Sequence, residues 1–388
     1  MDLTLTPELA TFRDEVRAFL DAHKDEYADG VPKDMRAWQK TLIANGYAAR
    51  TIPKAYGGFG AAPDILKSRI IAEEFIAANA PRGMAGQGIS MLVPTLLEVG
   101  SEEQKTRWIP PTLAGEILWC QGYSEPGAGS DLANLQTKAV EDGEDFLISG
   151  QKIWTSTAMQ AQMMFCLVRT EPDAPKHEGI SYILFPMSTP GIEVRPLKTM
   201  TGVAEFNEVF FTDVRVPKSA VVGGRGRGWF VANATLKHER GMLGDPNATE
   251  ARLKALIELM KSETVDGQRV IDNPVFRDRL MQLQARVLSM KFNGLRTATD
   301  DTAGLARMVV KLQGCELNHQ VAALAIDALG ELGILYHDGP YLRAKGNWQR
   351  NYMFDLGLII GGGTAQIQKN IISERGLGMP REPKAAPQ

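Results

Sequence analysis

Between Tyr123 and Asp131 the chain reads YSEPGAGSD, bringing two serines, two carboxylates, a proline and two glycines together between apolar flanks. Pro126 fixes one φ, while Gly127 and Gly129 allow either a positive φ or the close approach of a bound group to bare backbone. Ser124 and Ser130 set hydroxyls beside exposed amide N–H groups, a surface suited to an acceptor-rich heterocycle or a phosphate. By composition alone the same stretch is also an ordinary surface turn. A tryptophan, Trp154, follows inside a strand-like run, where such a residue is more often core. Further on, Gly361 to Gly363 precede Thr364 in a glycine-rich turn.

Four blocks in this order carry a family resemblance: YSEPGAGSD, then KIWTSTA at Lys152 to Ala158, EFNEVFFTDVRVP at Glu205 to Pro217, and GGGTAQIQKNIISERGLGMPR at Gly361 to Arg381. Together they resemble the acyl-CoA dehydrogenases, flavoenzymes that oxidise acyl-CoA thioesters to 2,3-enoyl-CoA. The resemblance runs over nearly the whole chain. It implies FAD as cofactor, with the backbone of Tyr123 and the side chain of Ser124 at the pyrimidine edge of the flavin. Gly129 and Ser130 belong to the same loop, Ser130 lying towards the flavin phosphate or the pantetheine of the substrate. Trp154 is expected against the ring system with Thr155 beside it, and the Ser156 hydroxyl towards N5, where the family often has Thr. Thr364 and Gln366 match the C-terminal flavin segment.

The diphosphate positions depart from the family's pattern. Where many relatives carry Arg-x-x-Phe-Gly followed by Gln, this chain has GQRVIDNPVFRDRL, which puts Arg277 at the place of the Gln, with Arg269 a poorer candidate. A guanidinium there can pair with phosphate, or stand solvated on its helix. The later Gln-x-x-Gly-Gly becomes DALGELG, so Asp327 stands where an uncharged amide is usual and would repel a diphosphate.

The catalytic base departs as well. Desaturation at C2–C3 needs a carboxylate beside C2, desolvated enough for its pKa to approach working pH. Most relatives place that Glu in a Glu-Gly-Thr segment, but here the position is Gly362. A minority, resembling the isovaleryl and long-chain enzymes, carry it on an earlier helix directly before an Arg. KHERGM supplies Glu239 and Arg240 at those places. The resemblance thus implies Glu239 as base and Arg240 as a neighbour shaping the acyl-CoA site. Gly362 would offer its N–H to the thioester carbonyl, alongside a flavin ribityl hydroxyl, and leave room for a branched or ring-bearing acyl group. As a helix carboxylate, Glu239 can equally pair with a cation one turn away.

The elements that must position these residues change character along the chain. Residues 1–118 read as helical, with Leu9, Phe12, Val16, Phe19 and Leu20 at helical spacing and Pro7 in a first turn. From 119 to 225, FLISGQKIWTS, MMFCLVRT, SYILFPM and VFFTDVRVP are short apolar runs broken by Gly, Pro and Asp, as in a β-domain. GGRGRG at Gly223 to Gly228 reads as a hinge-like linker. From 226 to 388 long helical stretches return, including 251–261, 276–293 and 305–329. The expected class is α+β multidomain: an N-terminal helical domain, a middle β-barrel-like domain and a C-terminal four-helix bundle.

Composition excludes several functions. A chain of 388 residues with 44% hydrophobic and 23% charged residues is an ordinary globular protein of two or three domains. A net charge of −3 without a basic run gives no support for nucleic acid or an anionic membrane as partner. No apolar run approaches the roughly 18 residues that span a bilayer. The first residues, MDLTLTPELATFRDEV, lack a secretory core and look unlike a transit peptide, and Cys120, Cys166 and Cys315 lack metal-ligand spacing, so a cytoplasmic protein with reduced thiols is expected. The tail REPKAAPQ is expected to be mobile. The partners implied are an acyl-CoA substrate, an electron-transfer flavoprotein, and either a homotetramer (a dimer of dimers) or an α2β2 heterotetramer like bacterial relatives acting on sterol side chains. An oxygen-using oxidase or monooxygenase on the same scaffold is the remaining enzymatic alternative.

Overall fold

A computed structural model describes residues 6–299, 304–337, 339–381 and 383. Of the tail, only Arg381 and Pro383 fall among them. The chain forms two compact units: one runs to Leu197 and adds Ala204–Thr235, the other joins Lys198–Val203 to the residues from Leu236 on.

In the first unit, helix α1 (Pro7–Ala22) starts as its sequence signals. Thr6 caps the Leu9 N–H and Pro7 takes the first helical position, where its missing N–H costs nothing. The apolar stripe Val16, Phe19 and Leu20 packs with Trp38 and Leu42 of α2 (Met35–Ala44) and Ile70 and Phe75 of α3 (Ile65–Ala77). Helix α4 (Val93–Val99) continues a π-turn over Gly88–Leu92. Ser101 and Gln104 form a capping box at the start of α5 (Glu102–Leu113), and Pro110 and Pro111 occupy its end.

An eight-stranded sheet follows in the same unit. Its strands are β1 (Trp119–Gly122), β2 (Lys138–Asp142), β3 (Asp145–Ser156), β4 (Met163–Arg169), β5 (Ile180–Pro186), β6 (Ile192–Leu197), β7 (Phe206–Pro217) and β8 (Val221–Val222). The order is β8-β5-β4-β2-β3-β7-β6, with β1 parallel to β4. Strands β4 and β5 are buried on both faces, which explains why MMFCLV and ISYILF are unbroken apolar runs rather than alternating ones. The glycine-rich GGRGRG segment is not a free hinge. Arg225 pairs with Glu141 and Glu171, the Gly226 N–H donates to Ser181 Oγ at 2.9 Å, and a Cβ on Gly228 would run into the Ser181 backbone.

Helix α6 (Gly228–Leu243) begins in the first unit and its last residues belong to the second. The second unit is a four-helix bundle of α7 (Pro246–Ser262), α8 (Pro274–Thr299), α10 (Val310–Leu329) and α11 (Asn347–Ile360), with the short α9 (Gly304–Met308) and α12 (Ala365–Ile371) attached. Asp245, which reads as a turn residue, is the N-cap of α7. Leu256, Met260, Val287, Val321 and Ala325 form the buried centre of the bundle. Arg252 of α7 donates to the buried Asp355 of α11 at 2.6 Å. No helix among the described residues is long and apolar enough to cross a membrane.

Candidate functional site

The signature loop is built on a buried charge. Glu125 and Ala128 exchange N–H···O bonds of 3.0 Å in both directions, closing a tight turn with Pro126 at its first corner. Gly127 does not take a positive φ, so this is not the glycine-demanding type II turn, and Gly129 does not take one either. What both glycines supply is bare backbone, since a Cβ on either would meet nothing within 4 Å. Ser130 and Gly129 are exposed and Ser124 is half-buried. The Glu125 carboxylate turns inward, to Lys152 Nζ at 2.7 Å and to the N–H groups of Gln136 (2.6 Å) and Thr137 (2.9 Å). Lys152 is 0% and Glu125 8% exposed. Burial by itself would raise the Glu125 pKa. The Lys152 charge and hydrogen bond, with the bonds from Thr137 and Gln136, outweigh it and hold the carboxyl below its usual range.

Lys152 also donates to the Tyr123 carbonyl at 3.1 Å, and the Ile153 N–H donates to the Ser124 carbonyl at 2.9 Å. The KIWTSTA strand is therefore stitched to the signature loop residue by residue. The Tyr123 ring packs edge-on to Phe165 and Tyr182 in the interior, leaving its backbone to serve the loop.

Strand β3 breaks register at this point. Lys152 pairs with Val209 and Thr155 with Asn207 of β7, so Ile153 and Trp154 together oppose one residue, a β-bulge. Trp154 sits at φ 60 with its indole 57% exposed, edge-on to Phe206 at 5.9 Å. A left-handed, non-glycine residue costs of order 1–3 kcal/mol and persists only where its surroundings impose it. Here they do: Asn207 Nδ2 donates to the Thr155 carbonyl at 2.9 Å, below the bulge. Thr155 is buried, while Ser156 is half-buried at the strand's end. An exposed indole on a strand stitched to a loop of bare glycine backbone and serine hydroxyls suits a flat, acceptor-rich ring.

The second unit holds the other candidates. Gly362 (φ +64) and Gly363 (φ +94) make the turn between α11 and α12. A Cβ placed on Gly362 would lie 3.3 Å from Glu239 Oε1 and 2.5 Å from Leu243 Cδ1. The carboxylate of Glu239, half-buried on α6, thus stands beside the one position where the glutamate of most relatives would begin. The Arg240 side chain lies outside the described residues. Thr364 caps α12, its Oγ accepting the Ile367 N–H at 3.1 Å, and Gln366 is exposed on the first turn.

Arg277 is exposed on the first turn of α8. The expected repulsion from Asp327 is relieved within the protein, because Arg279 Nη2 bonds Asp327 Oδ2 at 2.5 Å. The cysteines are free and buried, and burial pushes the Cys166 thiol up to about 12, which leaves no reactive thiolate there. Among the described residues no cluster of His, Cys, Asp and Glu could hold a metal ion.

Sequence reasoning missed the Lys152–Glu125 pair, although both residues lie inside the motifs it used. The available signal was a lysine alternating with Phe146 and Ile148 on the inward face of its strand, which needs a buried partner.

Comparison with known proteins agrees with these elements. Residues 6–116 match the acyl-CoA dehydrogenase N-terminal domain, 120–214 the middle domain and 226–377 the C-terminal domain. The sequence is similar to acyl-CoA dehydrogenase IpdE1 of Mycobacterium tuberculosis (strain ATCC 25618 / H37Rv), 39% identical over 358 residues that cover 91% of this chain and 90% of that protein. Among solved structures, a protein described as the Tcur3481-Tcur3483 steroid ACAD is 30% identical with a TM-score of 0.81, covering 98% of this chain and 100% of its own. A chain of the ChsE4-ChsE5 complex from Mycobacterium tuberculosis is 31% identical with a TM-score of 0.81 over 98% and 100%.

Proposed function

The chain belongs to the acyl-CoA dehydrogenase family, and we propose that it desaturates a bulky acyl-CoA at C2–C3 with Glu239 as the base. The observation that carries this assignment is the 3.3 Å between Glu239 Oε1 and the Cβ position of Gly362. One carboxylate is missing from the turn, and another, from a different helix, fills the space beside it. Glu239 takes the proton from C2 as the C2–C3 double bond forms. Backbone N–H groups of the glycine turn stabilise the negative charge that develops on the thioester oxygen.

FAD is the cofactor of this reading, and when bound it supplies the oxidant that accepts the hydrogen leaving C3 with its two electrons. The residues fit it: the bulge holds Trp154 out as a flat wall, Tyr123, Ser124, Gly129 and Ser130 offer backbone and hydroxyls at a bare edge, and Ser156 ends the strand beside them. Thr155 contributes backbone. Arg277, Thr364 and Gln366 are the candidates for the remainder of the cofactor, with Ser130, Arg240 and Gly362 towards the substrate. The electrons then pass to an electron-transfer flavoprotein, in a cytoplasmic setting consistent with three free thiols.

Glu239→Gln tests the reading. Enoyl-CoA formation should fall by about a hundredfold or more, the scale of a lost general base, while unfolding and flavin content stay unchanged. Undiminished turnover would remove Glu239 from the mechanism.

An α2β2 assembly is the second reading. It is favoured by the similarity to two structures that are each described by a pair of protein names.

A further inference from the structure

We propose that Lys311 is a positioning residue for this reaction, an ammonium that clamps the glycine turn beside Glu239 and favours the enolate over the neutral thioester. The inference rests on the assignment of Glu239 and Gly362 to the reacting centre. Lys311 lies in the first turn of α10 and is 2% exposed. Its Nζ donates to the Gly363 carbonyl at 2.7 Å and to the Ile359 carbonyl at 3.2 Å.

Burying an ammonium costs several kcal/mol unless its surroundings repay it, so a lysine at a core position of a helical bundle calls for a reason. Ile359 lies in the last turn of α11, where carbonyls lack helical partners and a cation is favoured. Gly363 lies across the turn. Lys311 therefore holds both ends of the segment that contains Gly362. Gln368 Nε2 donates to the Gly362 carbonyl at 3.2 Å, so two successive carbonyls of the turn are tied down. With their carbonyls fixed, the N–H groups in the same peptide planes, those of Gly363 and Thr364, are fixed too, and Gly362 is held between the clamped ends of the turn.

Helix α6 is seated against the same part of α10. Cys315, one turn beyond Lys311, donates its Sγ–H to the Leu243 carbonyl at 3.6 Å, and a Cβ on Gly314 would touch Gly244. Glu239, the glycine turn and Lys311 are thus parts of one packed block. The negative charge that grows on the substrate next to this turn is met by a positive charge one residue away from Gly362.

The test uses the holoenzyme with Lys311→Met, Lys311→Gln and Lys311→Arg. Two probes are titrated by calorimetry: acetoacetyl-CoA, which enolises at C2, and S-butyl-CoA, a thioether with no carbonyl. Loss of a hydrogen-bonded charge should weaken acetoacetyl-CoA about tenfold or more in the Met and Gln variants, leave S-butyl-CoA within about threefold, and keep the preference in the Arg variant. With the natural substrate, kcat should fall more than KM rises. Equal loss for both probes in Met and Gln, or no selective loss in Gln if Met does not fold, overturns the proposal. Glu239→Gln run in parallel separates the two readings. Persistent turnover there defeats the base assignment, and an inactive Glu239→Gln with unselective Lys311 variants defeats only this one.

Discussion

The charges that matter at the scale of the residue are the buried ones. Lys152 and Glu125 together hold the signature loop to the tryptophan strand, and each is tolerable inside the protein only because of the other. Breaking such a pair from one side leaves an uncompensated charge, so Lys152→Met should destabilise by about 3–5 kcal/mol in urea unfolding, and Lys152→Met with Glu125→Gln should recover part of that. The pH dependence follows from the depressed Glu125 pKa. A carboxylate held low when folded contributes stability that is complete above its unfolded value of about 4.3 and is lost as pH falls through the folded value. Urea midpoints measured from pH 6 downward should drop along an acid limb that the double variant lacks. An identical limb in both proteins would assign acid sensitivity to other carboxylates.

At the scale of the element, the proposed site rests on two interruptions of regular structure. One is the bulge that presents Trp154 and the other is the turn after α11. Gly362 has a left-handed φ, which costs an L-residue about 1–2 kcal/mol. Gly362→Ala should lower the melting temperature by the equivalent of that strain. The Leu243 methyl can swing aside, but the new Cβ would press on the Glu239 carboxylate. Enoyl-CoA formation should therefore fall mainly through kcat; a change confined to KM would show that the carboxylate keeps its place. The strands FLISGQKIWTS, MMFCLVRT and SYILFPM were legible as strands because their apolar pattern is local. The bulge inside β3 was not, because it is defined by pairing with Val209 and Asn207, over fifty residues further on. Strand β6, Ile192–Leu197, also escaped, since its apolar–polar alternation covers only Ile192 to Arg195 before Pro196 interrupts it.

For the whole molecule, the outer face of the bundle is informative. Tyr352, Leu356 and Ile360 recur at four-residue spacing on α11 and are all exposed, with Ile334 84% exposed nearby in sequence. An apolar stripe of this kind on a helical surface is characteristic of association. The chain purified alone should sediment as an oligomer with stoichiometric FAD. A monomer, or an assembly lacking FAD, would instead require a companion subunit of the α2β2 kind. Arg279 pairs with Asp327 and so offsets the repulsion that Asp327 alone would exert on a diphosphate.

The family, the order of helices and strands and the identity of the candidate base were written in local sequence, in short contiguous motifs. Turn formers, apolar periods and a Glu-Arg step on a helix act over such distances. The buried partnership of Lys152 with Glu125, the exposure of Trp154, the pairing of Asp327 with Arg279 and the approach of Glu239 to Gly362 were decided only by the tertiary structure. Each joins residues far apart in sequence, and a charge or a bare backbone acquires its meaning from what packing brings within a few ångströms of it.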